Sequence, residues 1–262
     1  MVHDADGLDE AAMLAFARET RLSETAFVQS PTLPDADYRN RIFDLRRELD
    51  FAGHPSLGTA VAVARARGER SARYVQETPA GLQPIDVELD GRRARASMLQ
   101  GPATFGPELD PATALGPAGL SAADADPRLP PQVVSTGVPQ VLAAVRAAAV
   151  LDRARPDWAA IQALLDAHEA VVLYLAACDP AAGRVAARAF AHSADMGEDP
   201  ATGSAAGPLA AYLHARTGTA ELRIAQGHHM GRPSRLECAI EGDRVRVGGG
   251  VAVVVEGTVA LP

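Results

Sequence analysis

Two short stretches place acid, base and hydroxyl residues in the kind of loop that opens a helix. The first is His54-Pro55-Ser56-Leu57-Gly58-Thr59-Ala60 and the second is Asp199-Pro200-Ala201-Thr202-Gly203-Ser204-Ala205. In each, a titratable side chain precedes proline, and a glycine and a hydroxyl residue follow ahead of an Ala-rich run, which is how a chain enters a helix. In this register His54 matches Asp199, and Gly58-Thr59 matches Gly203-Ser204. Backbone amides at helix starts bind anions, so two such loops facing each other would form a cleft that grips a carboxylate, with a histidine on one wall and an aspartate on the other. Gly53, just before His54, would allow close backbone approach.

A third candidate is Glu24. It lies among Leu22, Ala26 and Phe27, and burial raises a carboxyl pKa by penalising the charged form. A carboxylate so poised can take a proton from carbon and return it. Each candidate also has a plainer role: Glu24 as an exposed turn carboxylate, His54 as a loop histidine, Asp199 as a helix cap. His228-His229 does not suggest a metal, because adjacent strand residues point to opposite faces and no third ligand is evident. Gly248-Gly249-Gly250 lacks the helix that a phosphate loop requires and reads as a bulge or turn between strands. Cys178 and Cys238 are far apart and read as core thiols.

The elements that must carry these residues follow from periodicity. Each motif follows an Arg-x-Phe stretch, Arg41-Ile42-Phe43 or Arg188-Ala189-Phe190, so the chain reads as two copies of one unit. Helices are expected over 9–20, 55–67, 158–168 and 203–216, with a short one near 121–124. Strands are expected over 24–28, 37–45, 74–77, 85–89, 93–99, 133–137, 141–145, 170–176, 185–192, 222–225, 235–241, 244–247 and 251–255. Runs of strands punctuated by single long helices indicate an α+β fold with antiparallel or mixed sheets. A sheet curled round each Ala-rich helix would bury it on all sides, which accounts for the lack of a polar face in Ala60-Val61-Ala62-Val63-Ala64. The segment 101–131, rich in Pro, Ala, Gly and Asp, reads as the connection, with half-domains of 1–120 and 121–262.

Composition bounds the partners. The chain has 262 residues, 47% of them hydrophobic, and a net charge of −8 from 25 Lys+Arg against 33 Asp+Glu. No basic cluster marks a nucleic-acid or lipid surface, no apolar run reaches a membrane-spanning length, and the N-terminus does not read as a signal peptide. A cytoplasmic protein acting on small molecules is expected.

Leu22-Ser23-Glu24-Thr25-Ala26-Phe27-Val28, Glu48-Leu49-Asp50-Phe51-Ala52-Gly53-His54-Pro55 with the rest of the first motif, Glu198-Asp199-Pro200-Ala201-Thr202-Gly203-Ser204-Ala205, and Gln226-Gly227 with Gly231-Arg232-Pro233-Ser234 resemble the phenazine biosynthesis PhzF-like family over essentially the whole chain. The resemblance implies the diaminopimelate epimerase-like fold of two pseudo-symmetric half-domains, no metal, no organic cofactor, a homodimer, and an isomerase that moves a proton between carbons of a small cyclic or amino-acid-like carboxylate. It implies Glu24 as the catalytic acid/base supported by His54 and Asp199; Ser23, Gly53, Gly58, Thr59, Gly203 and Ser204 are expected to line the substrate. The cysteines of two-thiol epimerases have no counterpart in these loops. The alternatives are an epimerase or racemase, and a metabolite-binding protein without catalysis. Members of the family carry a strand and a Gly-Asn-Pro turn before the point matching Met1. Val2–Leu8 reads as the tail of a second strand, so either the start lies upstream or two strands are missing from the first half, exposing a sheet edge.

Overall fold

Alanine dominates the two long helices because strands surround them closely. In the computed structural model, which describes residues 1–91, 93–191 and 197–259, the chain forms two compact units, Met1–Met98 with Gly248–Pro262, and Leu99–Val247.

The first unit contains α1 (Glu10–Thr20), β1 (Thr25–Gln29), β2 (Tyr38–Phe43), β3 (Glu48–Leu49), α2 (Gly53–Arg67), β4 (Ser71–Thr78), β5 (Gly81–Asp90) and β6 (Arg93–Leu99). Its strands run in the order β1-β2-β4-β5-β6, with β3 paired to β2. Val2 bridges Phe27 in parallel, at the outer side of β1. Asp9 caps α1 by accepting from the Ala12 amide at 2.8 Å, and Gly68, at φ 72°, ends α2. Ala60, Val61, Val63 and Ala64 of α2 pack with Tyr38, Tyr74, Ile85 and Val87 in one apolar cluster.

The second unit contains β7 (Thr104–Glu108), α3 (Pro111–Leu115), β8 (Gln132–Ser135), β9 (Pro139–Val145), α4 (Ala148–Leu151), α5 (Trp158–Ala167), β10 (Val172–Asp179), β11 (Arg184–Ala191), β12 (Glu198–Asp199), α6 (Gly203–Thr217), β13 (Glu221–Gln226), β14 (Ser234–Glu241) and the start of β15 (Arg244–Ala252), whose residues from Gly248 onward belong to the first unit. The order is β14-β13-β11-β10-β9-β8-β7, with β12 paired to β11. Every residue of α6 from Ala205 to Leu213 is buried, Pro208 included. Its core joins Leu142, Tyr174, Ile224 and Val245. The opposite face of the sheet carries a second core, where Leu115, Leu151, Ile161 and Leu165 cover Val141, Leu173 and Phe190.

Three expectations change. The segment 101–131 is not a linker: Thr104–Glu108 pairs with β8, and Ala114, Leu115 and Ala118 are fully buried, so these residues belong to the second unit and the division falls at Met98/Leu99 instead of near residue 120. Gly248-Gly249-Gly250 does not separate two strands but lies within β15, and the strand expected over 251–255 ends at Ala252, leaving Val254 and Val255 exposed. His192, at the end of an expected strand, lies outside the described residues.

The two units repeat one local design. Arg41 on β2 reaches back to Glu48 on β3, with Nε to Oε1 at 2.8 Å and Nη2 to Oε2 at 2.5 Å. Arg188 on β11 clasps Glu198 on β12 in the same way, at 2.9 and 2.7 Å. In both, the clasped glutamate pairs in register with the phenylalanine of the Arg-x-Phe stretch, over whose ring the arginine lies. Arg188 also donates to the Leu151 and Ala154 carbonyls, and its side chain is 9% exposed, against 12% for Arg41. Removing one partner of a buried ion pair leaves the other charge uncompensated, at a cost of about 3 kcal/mol or more. Glu198→Ala is therefore expected to lower stability by about 3 kcal/mol in a denaturant titration. Glu48→Ala should cost less, because its arginine is also served by Glu10 at 3.4 Å; equal losses would contradict this ranking.

Candidate active site

Glu24 is the last residue before β1. The α1 helix closes at Arg21 in the left-handed region, with its amide on the Ala17 carbonyl, and the chain turns through Leu22 and Ser23 into a strand whose Thr25, Ala26 and Phe27 are buried. Within the same unit, α2 begins at Gly53, and its second residue, His54, brings Nε2 to 3.0 Å from Glu24 Oε2. The carboxylate is 16% exposed and the imidazole 47%. The glutamate therefore sits at the back and the histidine towards solvent. Oε2 is sealed from water, and the His54 imidazole is the polar group set against it.

The electrostatic balance at Glu24 runs opposite to the expectation from sequence. Burial is the largest single influence and raises its pKa, but the hydrogen bond and charge of His54, with a smaller contribution from Ser23, outweigh it and leave the value below the ordinary glutamate range. Glu24 is thus an ionised carboxylate held by the His54 imidazole, not a carboxyl kept neutral by an apolar pocket.

The register between the two motifs also needs correction. Helix α2 starts at Gly53 and α6 at Gly203; both are 15 residues long and end at a left-handed glycine, Gly68 or Gly218. His54 therefore stands where Ser204 stands, and Leu49 where Asp199 stands. Gly58 and Thr59 lie inside α2, where amides are committed to the helix, and the Thr59 hydroxyl is buried without a partner. They are not at a helix entrance as expected. Pro55 has no N–H and the Ser56 amide is spent on the Ala52 carbonyl, so the entrance to α2 is Gly53–His54. Gly203 and Ser204 do occupy the first turn of α6, since Ala205 and Ala206 are the first to donate to Thr202. Neither Ala52 nor Thr202 caps its helix with a side chain.

Asp199 ends β12. Its Oδ2 accepts from the Thr202 hydroxyl at 2.6 Å, and its carbonyl accepts from Gln226 Nε2 at 2.7 Å. Sequence reasoning quoted Gln226 without giving it a duty, and passed over Gln76 and Gln100. Gln100 accepts from the Thr136 hydroxyl at 2.6 Å and donates to the Gly203 carbonyl at 3.0 Å. A Cβ on Gly207 would lie 1.8 Å from Gln100 Oε1, so this contact requires glycine there. A glutamine and a glycine on distant segments carry no sequence periodicity that would link them. His229 Nε2 lies 2.7 Å from Asp152 Oδ1, a partner for the His-His pair other than a metal. No cluster of three metal-ligating side chains occurs among the described residues. No helix among them is long and apolar enough to cross a membrane.

Comparison with known proteins assigns the family and the fold. The family model for phenazine biosynthesis-like proteins, PhzC-PhzF, matches residues 1–257. A trans-2,3-dihydro-3-hydroxyanthranilate isomerase of Pseudomonas aeruginosa is 37% identical over 268 residues, spanning 98% of this chain and 91% of the relative. A solved structure from Pseudomonas aeruginosa described as a "Predicted Epimerase" superposes with a TM-score of 0.80 at 36% identity, over 97% of this chain and 92% of the other. A PhzF-family protein of Bacillus anthracis gives 0.83 at 28% identity, over 96% and 89%. At the level of fold alone, a probable proline racemase from Agrobacterium radiobacter gives 0.58 at 15% identity, over 91% and 76%. The α+β epimerase-like architecture expected from sequence is therefore present, and the chain belongs to the PhzC-PhzF family of phenazine biosynthesis-like proteins, a family of isomerases.

Proposed function

We propose that this protein is a cofactor-independent isomerase that shifts a proton between carbons of a small cyclic carboxylate, with trans-2,3-dihydro-3-hydroxyanthranilate as the leading candidate substrate. The observation that carries the reading is the Glu24–His54 ion pair, a sealed carboxylate with an exposed imidazole in front of it, in a chain closely related to a named isomerase of that compound. The Glu24 carboxylate takes a proton from a ring carbon, the electron pair moves through the adjoining double bond, and the same carboxyl delivers a proton to the carbon at the far end. One proton leaves and one arrives, so the step needs no redox partner.

His54 orients the polar substituents of the substrate and controls the strength of the base. A substrate that draws the imidazole away from Glu24 leaves burial, the largest influence on the carboxyl, unopposed by the imidazolium, and the base becomes stronger as it is needed. Asp199 is assigned to the substrate's amine or hydroxyl. The amides of Gly203 and Ser204, at a helix start without a side-chain cap, suit its carboxylate; Ser23 and Gly53 border Glu24 and His54. Gly58 and Thr59 have no part in this assignment.

Three outcomes test the reading. Glu24→Gln should lower kcat on trans-2,3-dihydro-3-hydroxyanthranilate by about a thousandfold, within the range for losing a general acid/base, while binding by calorimetry stays within a few-fold. Activity near that of wild type would refute the role of Glu24. In deuterium oxide, label should enter a carbon other than the one deprotonated; label with inversion at a single carbon would make the enzyme an epimerase instead. In the pH profile of kcat/KM, the acid limb due to Glu24 should lie below the ordinary glutamate value of 4.5, because a depressed pKa keeps the carboxylate charged until the pH falls through it. His54→Asn removes the opposing influence and should move that limb upward; an unmoved limb would show that the ion pair does not tune the base.

A further inference from the structure

Gln226, at the end of β13, is fully buried and uses all of its side-chain polar atoms. Its Nε2 donates to the Asp199 carbonyl at 2.7 Å and to the Thr202 hydroxyl oxygen at 2.9 Å, and its Oε1 accepts from Tyr174 at 2.8 Å and, more weakly, from the Thr202 amide at 3.4 Å. The Thr202 hydroxyl receives from Gln226, so its single proton is directed to Asp199 Oδ2 at 2.6 Å. The chain Tyr174–Gln226–Thr202–Asp199 therefore runs from the core to one oxygen of the carboxylate. The next residue, Gly227, at φ 78°, presses on the same loop: a Cβ there would lie 2.9 Å from the Pro200 carbonyl and 2.2 Å from that of Arg232.

The first unit has a glutamine at the same place. Gln76 on β4 is also fully buried, donates to Ser56 Oγ at 2.8 Å and accepts from Asn40 at 3.0 Å, and Ser56 in turn donates to the Ala52 carbonyl at 2.7 Å. In each unit the strand that follows the Ala-rich helix thus sends a buried amide to the helix entrance, to the first turn of α2 in one and to the loop before α6 in the other. Only in the second unit does the relay end on a side chain assigned to the substrate.

We infer that Gln226 is a positioning residue which, through the Thr202 hydroxyl, sets the direction of the Asp199 carboxylate that holds the substrate. Its functional half rests on the reading of Asp199 given above. Among the described residues the second oxygen, Oδ1, has only the Ala201 amide at 3.5 Å, a long contact, and this is the oxygen left for a substrate amine or hydroxyl. Because the relay fixes one oxygen without contacting the reacting carbons, its loss weakens substrate binding more than the proton shift.

The test compares Thr202→Val, which keeps the shape and loses the hydroxyl, with Thr202→Ser, which keeps the hydroxyl. With trans-2,3-dihydro-3-hydroxyanthranilate as the probe, Thr202→Val should raise KM about tenfold, the effect of one hydrogen bond to a charged group, with kcat changed less than about threefold. Thr202→Ser should return KM to near the wild-type value, and Gln226→Met should reproduce the Thr202→Val effect. Asp199→Asn with and without Thr202→Val should share one KM, since the threonine acts through the aspartate. An unchanged KM in Thr202→Val or Gln226→Met, equal KM values in the Val and Ser variants, a loss confined to kcat, or additive effects in the double variant would overturn the inference. A readout without ligand separates it from the isomerase reading: the carbon-13 shift of the Asp199 carboxyl at neutral pH should move in Thr202→Val and not in Thr202→Ser, and an unmoved signal in Thr202→Val overturns the relay. If the wild type neither binds nor converts the probe, the isomerase reading fails by itself and the carbon-13 comparison alone decides the relay.

Discussion

A helix buried on all sides must still enter from somewhere, and the polar groups at that entrance must find partners inside the protein. This constraint organises both units. Helix α6 is buried from Ala205 to Leu213, and the half-buried loop that enters it is tied to the protein through side chains. Glu198 is held by Arg188, and Asp199 and Thr202 are held by Gln226. The first unit solves the same problem with Arg41, Glu48 and Gln76. A buried polar group left unpaired costs about 1–3 kcal/mol, and several coupled in one network leave a single loop conformation well below its competitors. The rigidity that a proton-transfer site needs therefore follows from how the helices are packed.

The base at position 24 is governed by a balance within that packing. Burial alone would favour the protonated acid, and the neighbouring imidazolium alone would favour the carboxylate; the second prevails. The resulting base is weak and its conjugate acid strong, a combination suited to returning a proton and poorly suited to removing one from carbon. Deprotonation then depends on other groups stabilising the charge that develops on the substrate, which is the service that amides at a helix start provide without reorganisation. The 47% exposure of His54 against 16% for Glu24 places the adjustable partner where an entering molecule meets it first.

Much of this was legible in the sequence, and what was missed has physical reasons. Most long elements fell where periodicity put them, because alternation and Ala-rich runs report burial directly: α1, α5 and the helices after the motifs are examples. The register of the repeat was misread because Pro55 and Pro200 coincide in composition but not in role. The landmarks that align the units are the helix-ending glycines Gly68 and Gly218 and the buried glutamines Gln76 and Gln226. The boundary was misplaced because Pro and Gly suggested a linker, whereas α3 begins with Pro111 behind an Asp110 cap and buries Leu115. The sign of the shift at Glu24 was missed because burial can be guessed from neighbouring residues, while a partner supplied by another helix cannot.

Corrected alignment of the units bears on the number of proton carriers. In the first unit Thr25 pairs with Phe43, and in the second Leu173 pairs with Phe190; the position equivalent to Glu24 is therefore Val172, which is 7% exposed. The equivalent of His54 is Ser204, and that of Asp199 is Leu49. A two-base inversion calls for a proton carrier on each side of the reacting carbon. Here valine and serine replace the glutamate–histidine pair in the second unit, and the Asp199 carboxylate is tied by Thr202 and Gln226 in a way that favours holding over proton exchange. The repeat has kept its scaffold and divided its chemistry, which fits a single acid/base moving one proton between two carbons better than two bases acting on one.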